Sequence, residues 1–505
     1  MRRATLHLLL VCLAFCSLFS NAWCQPEYRL VTILHTNDIH DHLIPFSYPD
    51  ALKSSAPVAE MMATKNIGGL ARIATLAHQI EASVGGNAIL VDAGDICDGT
   101  PFGIEYKGEA DFAALSAAGY DVMVTGNHEF GQSLEQFNRN LALAEFPIVC
   151  ANLLKKDSLE PALPEYVIYD FDGVRIAFLG LTTPQIADYK AVKEGFAVKD
   201  PYETAKHLVP KLKNKADIVV VLSHLGEAED ERLAKMVPEI DVIVGGHSHT
   251  RLATPKIIKH NKPAEAFSLG GTVIVQAYQW AGELGRLDLR LRRNSGPFTL
   301  MSVDGKLIPV TSDIPEDHKT AEVIRRYYIP ISKRYDKIIG EVTADMVDKG
   351  GSSPVLNLVC DAIREETGAQ ISIYGVGGVR GNFAKGPIKV WDVATVLPFH
   401  NKLVLIELTG AHLKQIIERF PISPGVSGMR YKIVNRKIVE ATVDGKPLDE
   451  NATYSIATID WLVGLYFSDV TSAKYLDTLS VDALINYIQK RKVISPVNDE
   501  RRQVE

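Results

Sequence analysis

The chain has 505 residues, of which 46% are hydrophobic and 23% charged, with a formal net charge of −7. Those values suit a water-soluble protein of more than one domain, and with no long basic run nothing asks for nucleic acid as a partner. Six cysteines are scattered without disulfide or zinc-finger spacing.

Residues 1–24 read as a signal peptide. Arg2 and Arg3 precede an apolar stretch at 6–19, and Ser20, Asn21 and Ala22 offer small residues at a cleavage position. The apolar stretch is short for a membrane span, so no transmembrane segment is expected after signal removal. Lipidation at Cys24 is disfavoured by the bulky Trp23 before it. The expected location is periplasmic or extracellular.

Residues 28–36 (YRLVTILHT) form the first predicted strand, and it runs into Asp38, His40 and His42. A helix is expected over 67–82, with Leu70, Ile73, Leu76 and Ile80 at helical spacing. A buried strand at 87–92 leads into Gly94 and Asp95, and a short amphipathic helix is expected over 111–118. The strand at 120–125 ends in Gly126-Asn127-His128-Glu129. The same rhythm continues with a strand at 174–181, a helix at 201–213, and strands at 216–222 and 240–244. These last two end in Ser223-His224 and Gly246-His247-Ser248-His249. Segments 272–276 and 285–292 look like antiparallel strands closing this region. Alternation of strand, polar tip and helix is the signature of an α/β layered domain.

A charged helical pattern at 315–335, interrupted by Pro330, reads as a connector. Beyond it come a helix at 354–366, a strand at 371–374, the loop Gly375-Val376-Gly377-Gly378-Val379-Arg380-Gly381, strands at 403–408 and 454–458, and a helix at 481–492.

Five tips in the first region therefore end in carboxylate, amide or imidazole groups: Asp38 and His40, Asp95, Asn127, His224, and His247 with His249. Such a set suits first-row divalent ions such as Zn²⁺ or Mn²⁺. On an extended chain residues i and i+2 share a face, so Asp-x-His and His-x-His can each aim two ligands at one site. Seven ligands exceed the needs of one ion. Two ions roughly 3.5–4 Å apart, sharing a carboxylate, would use them all. Such a pair can turn a bridging water into hydroxide and stabilise a phosphoryl group under attack, which is the chemistry that phosphoester hydrolysis needs.

These motifs resemble the calcineurin-type metallophosphoesterases, and the whole chain resembles the secreted 5′-nucleotidase family. The resemblance implies a four-layer αββα sandwich over 27–312, a connector helix over 313–336 and a smaller α/β substrate-binding domain over 337–505. It implies one metal on Asp38, His40 and His249, and the other on Asn127, His224 and His247, with Asp95 bridging. His128, beside Asn127, would stabilise the transition state and assist the leaving oxygen. His42 has no place in that scheme and reads as a surface residue or as one behind the ligands. Gly377-Gly378-Val379-Arg380 and Val396-Leu397-Pro398-Phe399 resemble the substrate-binding segments, with Arg380 gripping phosphate through its two-pronged guanidinium and Asn401 as a further contact.

The chain departs from the family pattern in two places. Relatives usually carry an aspartate three residues after the catalytic histidine, and here that residue is Gly131. Orientation of His128 must then come from Glu129, from another carboxylate or from nothing. Relatives also clamp the base between two aromatic rings. Here Ser423-Pro424-Gly425 stands where the first ring belongs, with Phe420 near, and the second falls to Tyr466 or Phe467. The expected function is an exported dinuclear-metal phosphohydrolase acting on nucleoside 5′-monophosphates or related nucleotides through a metal-bound hydroxide. Alternatives are a nucleotide-sugar diphosphatase, a 2′,3′-cyclic nucleotide phosphodiesterase or a thiosulfate-ester hydrolase acting on another small ester. A noncatalytic binding protein is disfavoured because all seven ligands are present.

Overall fold

The structure is a computed structural model that describes residues 26–50, 52, 56–260, 268–347, 353–467, 469–470, 472–497 and 499–505. The signal-peptide expectation lies outside these residues. Among them no helix is long and apolar enough to cross a membrane.

Two six-stranded sheets build the first region. Strands β1 (Glu27–Thr36), β2 (Ala88–Asp92), β3 (Val122–Val124) and β4 (Ile148–Val149) run parallel in one sheet. The second sheet contains β5 (Tyr166–Phe171), β6 (Val174–Thr182), β7 (Ile218–His224), β8 (Val242–Gly245), β9 (Lys256–Lys259) and β10 (Gly271–Val275). Strands β11 (Glu283–Arg293) and β12 (Thr299–Pro309) return to the first sheet and extend it antiparallel from β1. The segments expected at 272–276 and 285–292 each have an antiparallel neighbour, β9 for β10 and β1 for β11, but they lie in different sheets. β10 lies parallel to β8, whereas β11 belongs to the opposite sheet. An apolar strand is equally at home in either sheet, so local pattern does not choose its partner.

Side chains alternate across each strand, and here both faces are apolar. Ile33, Val91 and Val124 of the first sheet pack on Phe178, Leu222 and Val244 of the second. The outward set Leu34, Leu90 and Met123 packs on α1 (Leu70–Ser83) and α2 (Glu109–Ala118). Leu179, Val219 and Val221 pack on α3 (Pro201–Leu212) and α4 (Glu227–Met236). The layers are helix, sheet, sheet, helix, with near-continuous apolar strands of the kind that doubly covered sheets require.

Helix α5 (His318–Tyr335) follows, capped by the Asp317 carboxylate on the Thr320 N–H, and it continues through Pro330. It leads into β13 (Ile338–Val342), α6 (Pro354–Thr367) and a five-stranded sheet. That sheet holds β14 (Ile371–Tyr374), β15 (Lys402–Thr409), β16 (Gly425–Ser427), β17 (Thr453–Ile459) and β18 (Lys474–Leu479), with α7 (Asp460–Tyr466) between the last two and α8 (Ser480–Arg491) after them. Trp391 joins the two regions. Its ring meets Phe102 at 5.5 Å and Tyr335 at 6.2 Å.

Candidate metal centre

The tips of β1, β2 and β3 are level, since Thr36 pairs with Asp92 and Asp92 with Met123. The tips of β7 and β8 are level in the facing sheet, where Ser223 pairs with Gly245. Carboxyl ends of parallel strands from both sheets therefore open on one crevice, the usual place for a ligand in α/β folds. The residues beyond these tips are almost all buried: Asp38 is 0% exposed, His40 1%, Asp95 2% and His224 0%.

One correction concerns how the ligands reach the crevice. Asp38, His40, Asp95, His247 and His249 all have φ between 47° and 71°. They are left-handed, not extended, so the shared aim of Asp38 with His40 and of His247 with His249 does not come from strand alternation. Left-handed backbone is costly for residues with a side chain, and it survives where surrounding bonds hold it. Such bonds are present. The N–H groups of Asp38, His40 and Asp41 donate to the carbonyls of Gly94, Asp95 and Ile96, and the Trp280 N–H donates to Asp38. The His247 N–H donates to the Asp38 carboxylate at 3.0 Å.

Ligand atoms of Asp38, His40 and His249 lie within 4.8 Å of one another, as do those of Asp95, His224 and His247. Asp95 connects the groups. Its Oδ2 is 3.1 Å from His224 Nε2 and 3.9 Å from both His40 Nε2 and His128 Nε2. The donor chemistry fits divalent ions. His40 Nδ1–H donates to the Cys97 carbonyl at 2.9 Å and His224 Nδ1–H to the Ala93 carbonyl at 2.7 Å. Each bond fixes the tautomer that leaves Nε2 free to ligate. His224 Nε2 and Asn127 Oδ1 are buried with no hydrogen-bond partner. Buried polar atoms normally have one, and an unpartnered His224 Nε2 within the cluster is what a bound ion would satisfy. His224 Nε2 is near Asp95 but not aligned for a hydrogen bond, as expected of two ligands converging on one ion.

Glu129, Gly126 and His42 organise this centre. The Glu129 carboxylate accepts the N–H groups of Gly126 (2.5 Å), Asp95 (3.1 Å), Ile96 (2.8 Å) and Cys97 (3.3 Å). It ties two strand tips together and does not orient His128. Burial, and then the Asp95 charge, raise its pKa to about 7. Gly126 is held by the close approach of those tips, because a Cβ there would stand 2.2 Å from Asp95 Oδ1. His42 is buried, stacks on Trp280 at 4.4 Å and donates from Nδ1 to the His40 carbonyl at 2.7 Å. It is therefore not a surface residue, and it supports the loop behind the ligands. His128 has its Nδ1 3.1 Å from Asp98 Oδ2. Burial opposes its protonation, but Asp95 and Asp98 together raise its pKa.

The second region faces this cluster. Arg380 Nη2 lies 3.4 Å from His40 Nε2, and the Phe399 ring stacks on His128 with centroids 6.0 Å apart and planes at 16°. Trp461 meets Tyr189 edge-on at 6.0 Å, and Tyr189 Oη accepts from Asn127 Nδ2 at 2.9 Å. Phe399 lies within a motif already singled out, but its ring had not been assigned a place. Trp461 carries no local sign of its position. Asn401 accepts the Ser480 N–H on its carbonyl at 2.9 Å, which ties it to the start of α8. The expectation for Phe467 is overturned. Its ring is 0% exposed within the core and has no face for a base to stack on. Tyr466 and Phe420 are taken up by each other, stacked at 4.0 Å. Phe467 shares the core with Leu462 and Val463, and burying an apolar ring there is worth more than presenting it.

Comparison with known proteins places this geometry. Residues 31–251 match the calcineurin-like phosphoesterase family, and residues 338–466 match the 5′-nucleotidase C-terminal domain. The chain is 28% identical to protein UshA of Yersinia enterocolitica, covering 98% of this chain and 96% of that one. It is 28% identical to a 5′-nucleotidase of Vibrio vulnificus, covering 94% and 92%. The crystal structure of a 5′-nucleotidase precursor from Thermus thermophilus superposes with a TM-score of 0.83 at 27% identity, covering 94% of this chain and 99% of that one. A mixed α/β fold with His/Asp clusters suited to metal thus coincides with two family matches laid end to end. The chain belongs to the family of metal-dependent phosphoester hydrolases that joins a calcineurin-like phosphoesterase domain to a 5′-nucleotidase C-terminal domain.

Proposed function

We propose that this chain is an exported phosphohydrolase that releases phosphate from nucleoside 5′-monophosphates or related nucleotides. The observation that carries the reading is the joining of two ligand groups at Asp95, with a guanidinium from the second region, Arg380, 3.4 Å from His40. A guanidinium beside a pair of cation sites is suited to a phosphate shared between them. The 5′-nucleotidase names of relatives aligned over nearly the whole chain support a nucleotide as substrate.

Asp38, His40 and His249 would hold one divalent ion and Asn127, His224 and His247 the other, with Asp95 between them and Zn²⁺ or Mn²⁺ the best match to the donors. The ions, when bound, supply Lewis acidity toward water and the phosphoryl group. The protein's own residues do the rest. Arg380 binds phosphate oxygens, and His128 shares charge with the phosphoryl group and offers a proton to the leaving oxygen. Phe399 covers His128 and keeps water from its face. The division into a phosphoesterase domain (27–312), a connector (313–336) and a substrate-binding domain (337–505) is part of this proposal. So are removal of residues 1–24 on export and a periplasmic or extracellular location.

The test is metal analysis of the purified protein together with phosphate release from AMP. About two ions per chain are expected, with release abolished by chelation and restored by Zn²⁺ or Mn²⁺. A metal-free protein that releases no phosphate, with or without added metal, overturns the reading.

A further inference from the structure

An imidazole that exchanges a proton through one nitrogen works only if its other nitrogen is held, since that bond sets both tautomer and ring direction. His128 sits in a short turn, His128–Phe130, directly after the tip of β3. Its Nε2 faces the cluster, 3.9 Å from Asp95 Oδ2. Its Nδ1 faces the opposite way, 3.1 Å from Asp98 Oδ2, a carboxylate from the neighbouring loop after β2. Among the described residues no other carboxylate lies within ion-pair distance of Nδ1, and Glu129 is taken up by four backbone N–H groups. Asp98 itself stands at φ 63°, a left-handed position that an aspartate adopts more readily than most residues.

Gly131 completes the arrangement. It closes the same turn, its N–H donating to the His128 carbonyl, and it has ordinary right-handed backbone angles, φ −64° and ψ −27°. Backbone conformation therefore does not require glycine there. Space there is tight: a Cβ at 131 would stand 3.1 Å from Asp98 Oδ2, its nearest neighbour, and 3.4 Å from the His128 carbonyl oxygen. A side chain growing from residue 131 thus points at the place that the Asp98 carboxylate occupies.

We propose that Asp98 is the positioning residue for His128, accepting the Nδ1–H so that Nε2 faces the cluster, and that Gly131 is the vacancy in the chain that admits its carboxylate. Two neighbouring loops can supply the same carboxylate, and this chain supplies it from the loop after β2. The inference rests on the catalytic role given to His128 above, and it adds a residue to that site.

The experiment uses the metal-loaded enzyme with two probes, AMP and bis(p-nitrophenyl) phosphate. Asp98→Ala should lower kcat by roughly 10- to 100-fold, the cost of losing a group that orients a site histidine, with KM and metal content within about twofold of the parent. Adding Gly131→Asp to that variant should restore kcat to within about fivefold of the parent. Asp98→Ala within threefold of the parent overturns the proposal. So does a double variant no better than Asp98→Ala alone. Turnover of the diester with AMP untouched removes the nucleotide reading while this comparison still decides on Asp98. If the parent turns over neither probe, the function reading falls. The inference is then judged on the Nδ1–H resonance of His128 in histidine-labelled enzyme, which should vanish in Asp98→Ala and return in the double variant. Its persistence in Asp98→Ala overturns the proposal.

Discussion

Two surfaces meet at this crevice, and they are built on different principles. On one side, the strand tips hold Asp38, His40, Asp95, Asn127, His224, His247 and His249 in place with backbone bonds, left-handed turns and buried carboxylates. On the other, Arg380 and Phe399 come from loops and Trp461 from a helix start, and Trp461 is 47% exposed. The first surface is rigid and specified residue by residue. The second depends on which rings the folding of its own core leaves outside. A metal site tolerates little geometric error, whereas a stacking platform needs only an aromatic face in roughly the right place.

Substitutions can break or sharpen this contrast. Asp95→Ala strikes the residue proposed to bridge the two ligand groups. Phosphate release should fall on the order of a thousandfold or more as transition-state charge stabilisation is lost, and metal content measured by atomic emission should drop from about two ions to one or none. Retention of both ions would mean that Asp95 does not bridge. Arg380→Lys removes the two-pronged contact but keeps the charge. A rise in KM of roughly tenfold with metal content unchanged is expected, and an unchanged KM would detach Arg380 from the substrate.

The rings divide differently. Phe467→Ala should lower stability by about 3–5 kcal/mol, as truncation of a buried aromatic does, and urea unfolding would report it while KM stays put. Trp461→Ala should do the reverse, leaving the unfolding free energy within about 0.5 kcal/mol and raising KM for AMP a fewfold. A KM effect from Phe467 without loss of stability would restore it as a base-stacking residue.

The smallest effect concerns the floor under the ligands. His35 is fully buried on β1, and burial lowers its pKa to about 3. A depressed folded pKa gives stability that is present above the unfolded value near 6.5 and is lost as pH falls toward 3. Between pH 6.5 and 5 the loss from this residue is at most about 2 kcal/mol. His35→Gln should flatten that part of the pH–stability curve relative to the parent.

The candidate ligand residues were legible because chemistry advertises them. Carboxylate, amide and imidazole groups at the ends of five apolar runs have few other reasons to be there. The layered α/β architecture was legible from the same runs, since strands covered on both faces are continuously apolar. Glu129 was visible but misjudged as a possible partner of His128, because a residue adjacent in sequence points where the turn sends it. Here the turn sends it onto the amides of Asp95, Ile96 and Cys97.

By itself the sequence determined the fold class and the family, and it singled out seven candidate ligands for a metal centre. Tertiary structure alone decided that β10 joins β8 and not β11, that Asp98 reaches His128 from a separate loop, and that Phe467 is buried while Trp461 faces the crevice. The physical reason is one of range. Ligand type and hydrophobic period are written locally, whereas strand partners, a carboxylate thirty residues away and the burial of one ring among several are settled only when distant segments compete for the same space.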